Sequence, residues 1–510
     1  MHKLLLLLPL QTHNFTQFKT SYPYFTFLNG VVRKIVFCET QSFCHNYSIV
    51  YFIVTFPNSI AFGILVSYIF VDFHKTPGYL MLYSPILFNP LDLPPALKYD
   101  TLFHYLPPFQ QHVEKTGRRP VERNALLRAL IYKTLRRLST LSDLVLEINN
   151  NPSMAQTLGF NPMVSAPSVE RFSSFLRDTS HSLLQGIRQQ LLLELIKDKV
   201  IHGKVVAVDS CPIMIHCKEN NLKTSVSNRF DKTRIPDGDP DARLGVMIHY
   251  PSPFKKEVRY FWGYRNHVVN DIETELPLAE ITHPANVHET RVARSLLNEV
   301  KETYNLPLTS VVGDANFDTE TFLSFIIKDL LSSPVIPHNP RHESGDYTVR
   351  GTEVICHAGL AMYRKGKMRP KRTGILYCQY TCPIVYDKKL RHQYIACPIL
   401  HPKFFDGTGC NALIRLEPTI RSSIDYGTKK FKNLYHARSS IERIFSRLLS
   451  LAMQDPTIKG LQAIRNHATI AHISVLLIAL TASRTGQKDK IRFVKSFVPN
   501  IMSQNKPRVL

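Results

Sequence analysis

Acidic residues are scarce: 40 Asp and Glu stand against 63 Lys and Arg, leaving a formal net charge of +23 and a pI near 9.6. That deficit speaks against acidic partners and for a polyanion, because neutralising phosphates supplies most non-specific affinity for nucleic acid. The plain alternative is a solvated basic surface. No basic run forms a low-complexity tail, so the charge is expected on folded surface. The nine cysteines are odd in number, and in a chain expected to be cytoplasmic they argue against a disulfide framework. Tryptophan occurs once, at Trp262.

Charge is nearly missing from residues 1–95, where only Lys3, Lys19, Arg33, Lys34, Glu39, Asp72, Lys75 and Asp92 carry any. Met1–Leu10 has a basic start and a Leu run, but no small-residue cleavage site follows, which argues against a cleaved signal. Residues 48–71 are uncharged and mostly apolar over a length that would span a bilayer as a helix, with Pro57-Asn58 near the middle. Three readings of this apolar leader stand open: translated sequence outside the folded protein, with Met81 as the later start; a membrane anchor; or a buried extension.

From about residue 96 the pattern becomes that of a globular protein, with 44% hydrophobic and 20% charged residues over the whole chain. Residues 96–200 read as helices. Leu126, Leu127, Leu130, Ile131 and Leu135 alternate with Arg123, Arg128, Lys133, Arg136 and Arg137, the pattern of a basic amphipathic helix. Asn149-Asn150-Asn151-Pro152 breaks the next helix, and Ser168 is a good N-cap for another. Such helices suit either a DNA reader or a plain bundle.

Tyr435, Arg438 and Glu442 lie at i, i+3 and i+7, on one face of an expected helix, beside an apolar stripe of Ile441, Ile444, Phe445, Leu448 and Leu449. Alone, Arg438 and Glu442 would be an ordinary surface ion pair. Two further acids change the weighing. Val205–Val208 reads as a buried strand ending in Asp209, and Ser310–Val312 as another leading to Asp314. Each Asp alone would be a turn former or N-cap. Two strand-end aspartates with a helical glutamate form a set able to hold two divalent cations for phosphoryl transfer.

With this signature the chain resembles the DDE-type transposases of bacterial insertion sequences, in the group with a Tyr-x2-Arg-x3-Glu-x6-Lys motif. Leu449 stands at the Lys position. The resemblance spans about residues 118–482 and implies an α/β fold: a ribonuclease H-like mixed sheet, with an insertion before the last catalytic helix and a helical DNA-binding region in front. The order of expected elements after residue 200 agrees: three strands, helix, strand, helix, strand and a late helix. The expected divisions are 1–95, 96–200, 201–342, 343–433, 434–482 and a basic tail, 483–510.

The resemblance further implies Asp209, Asp314 and Glu442 as catalytic residues and ligands of two Mg²⁺ or Mn²⁺ ions, with Tyr435 and Arg438 touching phosphate. Arg443 is a further basic residue on that helix, able to stand in for the missing Lys. Trp262, Arg265 and His267 interleave aromatic and basic character, suited to clamping DNA or, for the Trp, to a core. In the insertion, Lys365, Lys367 and Arg369 form a basic patch. Cys378, Cys382, Cys397 and Cys410 are either structural Zn²⁺ ligands, though loosely spaced, or buried thiols. The expected partner is double-stranded DNA, at element ends and target, bound by a homodimer in the cytoplasm beside the nucleoid. Two alternatives remain: a DNA-binding descendant that has lost catalysis, and a membrane-anchored basic protein.

Overall fold

The computed structural model describes residues 35–41, 48–54, 67–69, 95–109, 121–252, 255–339, 347–350, 353–371 and 374–497. They fall into two units, one reaching Tyr105 and including Thr481–Ile491, the other formed by Leu106–Leu480 and the residues from Arg492. In the first, β1 (Ile35–Gln41), β2 (Ser48–Val54) and β3 (Ser67–Ile69) pair antiparallel in that order, and α1 (Pro95–His104) follows. Within the uncharged run 48–71 the described residues, 48–54 and 67–69, are strands. The rest of that run, Met1–Leu10 and Met81 lie outside the described residues.

The second unit opens with α2 (Arg123–Arg136), α3 (Leu141–Asn150), α4 (Pro152–Leu158), α5 (Val169–Asp178) and α6 (His181–Lys197). Local chemistry sets their ends. Thr140 and Asp143 make a reciprocal capping box on α3, and Asn151 caps α4 with Pro152 in its first turn. The expected basic face of α2 is not an open one: Leu126, Leu127, Leu130, Ile131, Tyr132 and Leu135 are buried, and its Arg and Lys residues are half-buried. Burial lowers Lys133 to about 8, against the pull of Asp143. Arg188 of α6 is fully buried and ties three elements together. It donates to the Leu278 carbonyl at 2.6 Å, Glu299 Oε1 at 2.7 Å and Gln185 Oε1 at 2.5 Å.

The main sheet is built from β4 (Val205–Met214), β5 (Arg243–Ser252), β6 (Lys255–Asp271), β7 (Pro277–Pro284), β8 (Ser310–Val312) and β9 (Ser333–Val335), with α7 (Glu289–Tyr304) between β7 and β8 and α8 (Glu320–Ser324) between β8 and β9. β4 is central, antiparallel to β6 and parallel to β8, which is parallel to β9. β7 pairs antiparallel with the second half of β6, and β5 with its first half. The path β7-β6-β4-β8-β9, antiparallel then parallel about a central first strand, is the ribonuclease H-like arrangement expected above. Gly263 permits the close pairing of β4 and β6, since a Cβ there would sit 2.1 Å from the Ile213 carbonyl oxygen.

Beyond the sheet come the hairpin β10 (Tyr347–Arg350) and β11 (Glu353–Cys356), then β12 (Tyr363–Met368), β13 (Tyr377–Thr381), the short helices α9 (Pro383–Tyr386), α10 (Lys388–Gln393) and α11 (Pro402–Phe405), and β14 (Asn411–Arg415), with β12, β13 and β14 in one antiparallel sheet. The chain ends in α12 (Lys429–His436), α13 (Ser439–Ser450) and α14 (Leu461–Arg484). Among the described residues α14 is the one helix long and apolar enough to cross a membrane, but its apolar stretch is buried within the protein. It carries the polar contacts of a core helix: Arg465 Nε donates to the Thr282 carbonyl at 2.9 Å, and His472 Nε2 lies 2.9 Å from Asn266 Oδ1.

Candidate active site

Strand register brings the two aspartates together. Ala207 of β4 is the partner of Val312 at the end of β8, so Asp209 and Asp314, each two residues further on, leave adjacent parallel strands at matching positions and on the same face. β4 does not end at Asp209 as its sequence suggests. It runs on to Met214, still paired with β6, while β8 stops at Val312 opposite Ala207, two residues short of Asp209. The rim of the sheet is thus set by the shorter strand. Asp314 also fills its plainer role as N-cap of the turn 315–317, accepting from the Asn316 N–H at 2.9 Å.

Glu442 reaches this pair through Arg438. The guanidinium Nη2 donates to Glu442 Oε1 at 2.5 Å and Nη1 lies 3.4 Å from Asp209 Oδ2. The helix is not continuous, as the i, i+3, i+7 spacing suggests. α12 stops at His436, and i to i−3 hydrogen bonds from Arg438, Ser440 and Ile441 tighten the turn before α13 starts. Tyr435 therefore sits on the preceding helix, stacked on Phe431 with ring centroids 6.4 Å apart. α13 is seated by buried Ile441, Ile444 and Leu448, and by Ser440, whose Oγ accepts from Asn270 of β6 at 3.2 Å. Glu275, in the β6–β7 turn, holds it further by binding Arg443 at 2.7 Å, Arg447, and Arg492 at 3.1 Å.

Crowded carboxylates resist ionisation. Burial, then the neighbouring Asp314, pushes Asp209 up from its ordinary 3.8 to about 7, while Arg438 works the other way. Asp314 is raised by burial and then by Glu289. Since the folded value of Asp209 exceeds the unfolded one, its contribution to stability is fully present below about 3.8 and is lost as pH rises through about 7. Asp209→Asn should therefore stabilise the metal-free protein at pH 8 by about 1–3 kcal/mol. Denaturant unfolding should find that gain shrinking towards pH 4; a gain equal at both pH values would contradict it.

Glu289 went unnoticed in the sequence. At the first position of α7 it accepts from Ser210 Oγ at 2.8 Å and Arg265 Nη1 at 2.7 Å. An acid in a first helical turn is commonplace, and only the folded sheet brings it near Asp209. The same contact removes Arg265 from the expected DNA clamp. Trp262 and His267 leave it too: Trp262 is wholly buried with its Nε1–H on the Arg229 carbonyl at 3.0 Å, and His267 is buried and held neutral down to about 3. From Phe261 onward β6 is covered on both faces and takes aromatic and basic residues into the core, so their interleaving did not mark a surface. Arg443 and Arg447, the basic residues near the position of the Lys that Leu449 replaces, are both engaged with Glu275.

In the insertion, Lys365, Lys367 and Arg369 are exposed along and just beyond β12, with Lys365 5.4 Å from the Tyr386 ring and Arg369 paired to Glu417 at 2.9 Å. The expected thiol quartet divides. Cys382, Cys397 and Cys410 pack with Cys356, Val354, Met362, Ile384 and Ala412 in an apolar cluster, while Cys378 Sγ accepts from Arg364 Nε at 3.2 Å. Among the described residues no three His, Cys, Asp or Glu side chains stand close enough to hold a metal ion, either here or around Asp209, where Arg438 intervenes. The donors at Asp209, Asp314 and Glu442 are nonetheless of the hard, anionic type that Mg²⁺ and Mn²⁺ prefer.

The Transposase DDE domain family matches residues 229–477, a span that includes Asp314, Tyr435, Arg438 and Glu442 and begins after Asp209. The Transposase domain (DUF772) family matches residues 96–178, the helical region. Among curated proteins none matches the sequence. Among solved structures, the piggyBac transposase synaptic complex with hairpin DNA is similar at 13% identity over 84% of this chain and 83% of that one, with a TM-score of 0.29. A likeness that loose carries no argument.

Proposed function

We infer what the chain does from the family it belongs to, the DDE-type insertion-sequence transposases. Its reaction would be the cutting of DNA at the ends of a mobile element, by hydrolysis that frees a 3′-hydroxyl, followed by attack of that hydroxyl on a phosphodiester of target DNA. The observation that carries this reading is the matched register of Asp209 and Asp314, with Arg438 linking Asp209 to Glu442.

Asp209, Asp314 and Glu442 would hold two Mg²⁺ or Mn²⁺ ions, which when bound supply activation of the attacking oxygen and charge neutralisation at the leaving one. The protein's own part is to keep two rigid carboxylates on adjacent strands and a third on α13, over half exposed and so free to turn. Arg438 balances the acids in the absence of metal. Its planar, always charged head suits a phosphate oxygen equally well, so entry of DNA and cations would move it from carboxylate to phosphate. Tyr435, one turn before it, would add a hydroxyl to the same backbone. The helices of 96–200 would read the element's ends and the exposed Lys365, Lys367 and Arg369 would add phosphate contacts, with two chains assembling on two ends beside the nucleoid.

Supercoiled plasmid carrying the element's ends tests this. The full chain should nick it with Mn²⁺ or Mg²⁺ and stop when EDTA is added. Tight DNA binding with no nicking under any divalent ion would favour a descendant that has lost catalysis, as Leu449 at the signature Lys position allows.

A further inference from the structure

Three elements meet behind the aspartate pair. Ser210 of β4, Arg265 of β6 and Glu289 of α7 close a ring of contacts: Ser210 Oγ donates to Glu289 Oε1 at 2.8 Å, Arg265 Nη1 donates to the same oxygen at 2.7 Å and to Ser210 Oγ at 3.1 Å. Both charged side chains are largely covered, 16% and 21% exposed, so solvent screens them little. Arg265 is pinned again by the Val246 carbonyl and lies 6.0 Å from the Phe261 ring.

Strand alternation puts Ser210 on the face of β4 opposite Asp209, so this ring lies behind the carboxylates rather than among them. The link to the front is covalent and hydrogen-bonded. Ser210 follows Asp209 in the chain, and its backbone N–H donates to Asp209 Oδ1 at 2.7 Å. Fixing the Ser210 side chain therefore fixes the peptide that aims Asp209.

We propose that Glu289 is a positioning residue for the aspartate pair: through Ser210 and Arg265 it sets the orientation of Asp209 and, with it, the hold of the pair on a divalent cation. The inference rests on the reading of Asp209 and Asp314 as cation ligands. An ion pair that only bolted α7 to the sheet would affect stability and leave cation affinity alone.

Mn²⁺ binding to the full-length chain, followed by the electron paramagnetic resonance signal of the free ion, separates the two, with the Mn²⁺ dependence of plasmid nicking as a second readout. Glu289→Gln should weaken Mn²⁺ binding about tenfold, the low end of what outer-shell carboxylates contribute. Nicking should recover most of its rate at saturating Mn²⁺, and Glu289→Asp should regain part of the affinity. Ser210→Ala, which removes one hydroxyl and is the fallback should Glu289→Gln not fold, should weaken binding in the same direction by a smaller factor. A lower melting temperature with wild-type Mn²⁺ affinity in whichever variant folds would overturn the proposal. Wild-type protein that takes up no Mn²⁺ would overturn the cation-ligand reading itself, and this inference with it, before any substitution at Glu289 is made.

Discussion

Trp262→Ala should destabilise the protein by about 3–5 kcal/mol, the usual cost of emptying a fully buried aromatic site. The position is a junction as well as a packing site. The indole Nε1–H bonds the Arg229 carbonyl at 3.0 Å, and the Trp262 main chain exchanges 2.8 Å hydrogen bonds with the Asn220 side chain in both directions. Alanine would leave a cavity, an unpaired carbonyl, and a weakened seat for the segment that follows β4. Trp262→Phe, which keeps most of the volume but loses the N–H, should cost less, about 1–2 kcal/mol. Denaturant melts of both variants check this. A DNA-stacking role would give the opposite pattern: near-normal stability with weakened DNA binding.

The sequence was most informative where one residue type does its work through local geometry. The Tyr-Arg-Glu spacing needs only a helix to become a group, and even the tightened turn before α13 kept Arg438 bonded to Glu442. Short apolar runs placed β4 and β8 and the acids near their ends, because a fully buried parallel strand has little other way to read. The end of β4 was misjudged because Cys211 and Ile213 continue its buried alternation at a slower rhythm, past a polar pair, Asp209 and Ser210. Trp262 took the core alternative and Arg265 turned inward to Glu289 for a related reason: from Phe261 onward β6 is covered on both faces, so a side chain's chemistry did not reveal its exposure. Glu275 and Glu289 gave no signal, since each acts on partners far away in sequence. The thiols separated because spacing alone does not say which cysteines share a cluster; Cys356 joins the apolar group that Cys378 does not.

The acids carry the largest expected effect on activity. Asn and Gln preserve the shape of Asp209, Asp314 and Glu442 while removing one negative charge each, and two divalent cations held on three carboxylates tolerate little such loss. Each substitution should lower strand cleavage at least about 10³-fold, in line with the removal of single essential groups elsewhere. DNA affinity should hold if it rests on the basic surface as proposed, and should rise slightly as repulsion between carboxylate and phosphate falls. Glu442→Gln also frees Arg438 from its closest partner, which should favour a phosphate contact further.

The most direct test is therefore single-turnover cleavage, with Mn²⁺, of a duplex carrying one end of the element, at equal DNA occupancy for wild type, Asp209→Asn, Asp314→Asn and Glu442→Gln. The account predicts cleavage by wild type alone, with all four proteins bound to the duplex within about twofold of one another. Cleavage at the wild-type rate by any one of the three variants would remove that residue from the site and contradict the mechanism drawn from it.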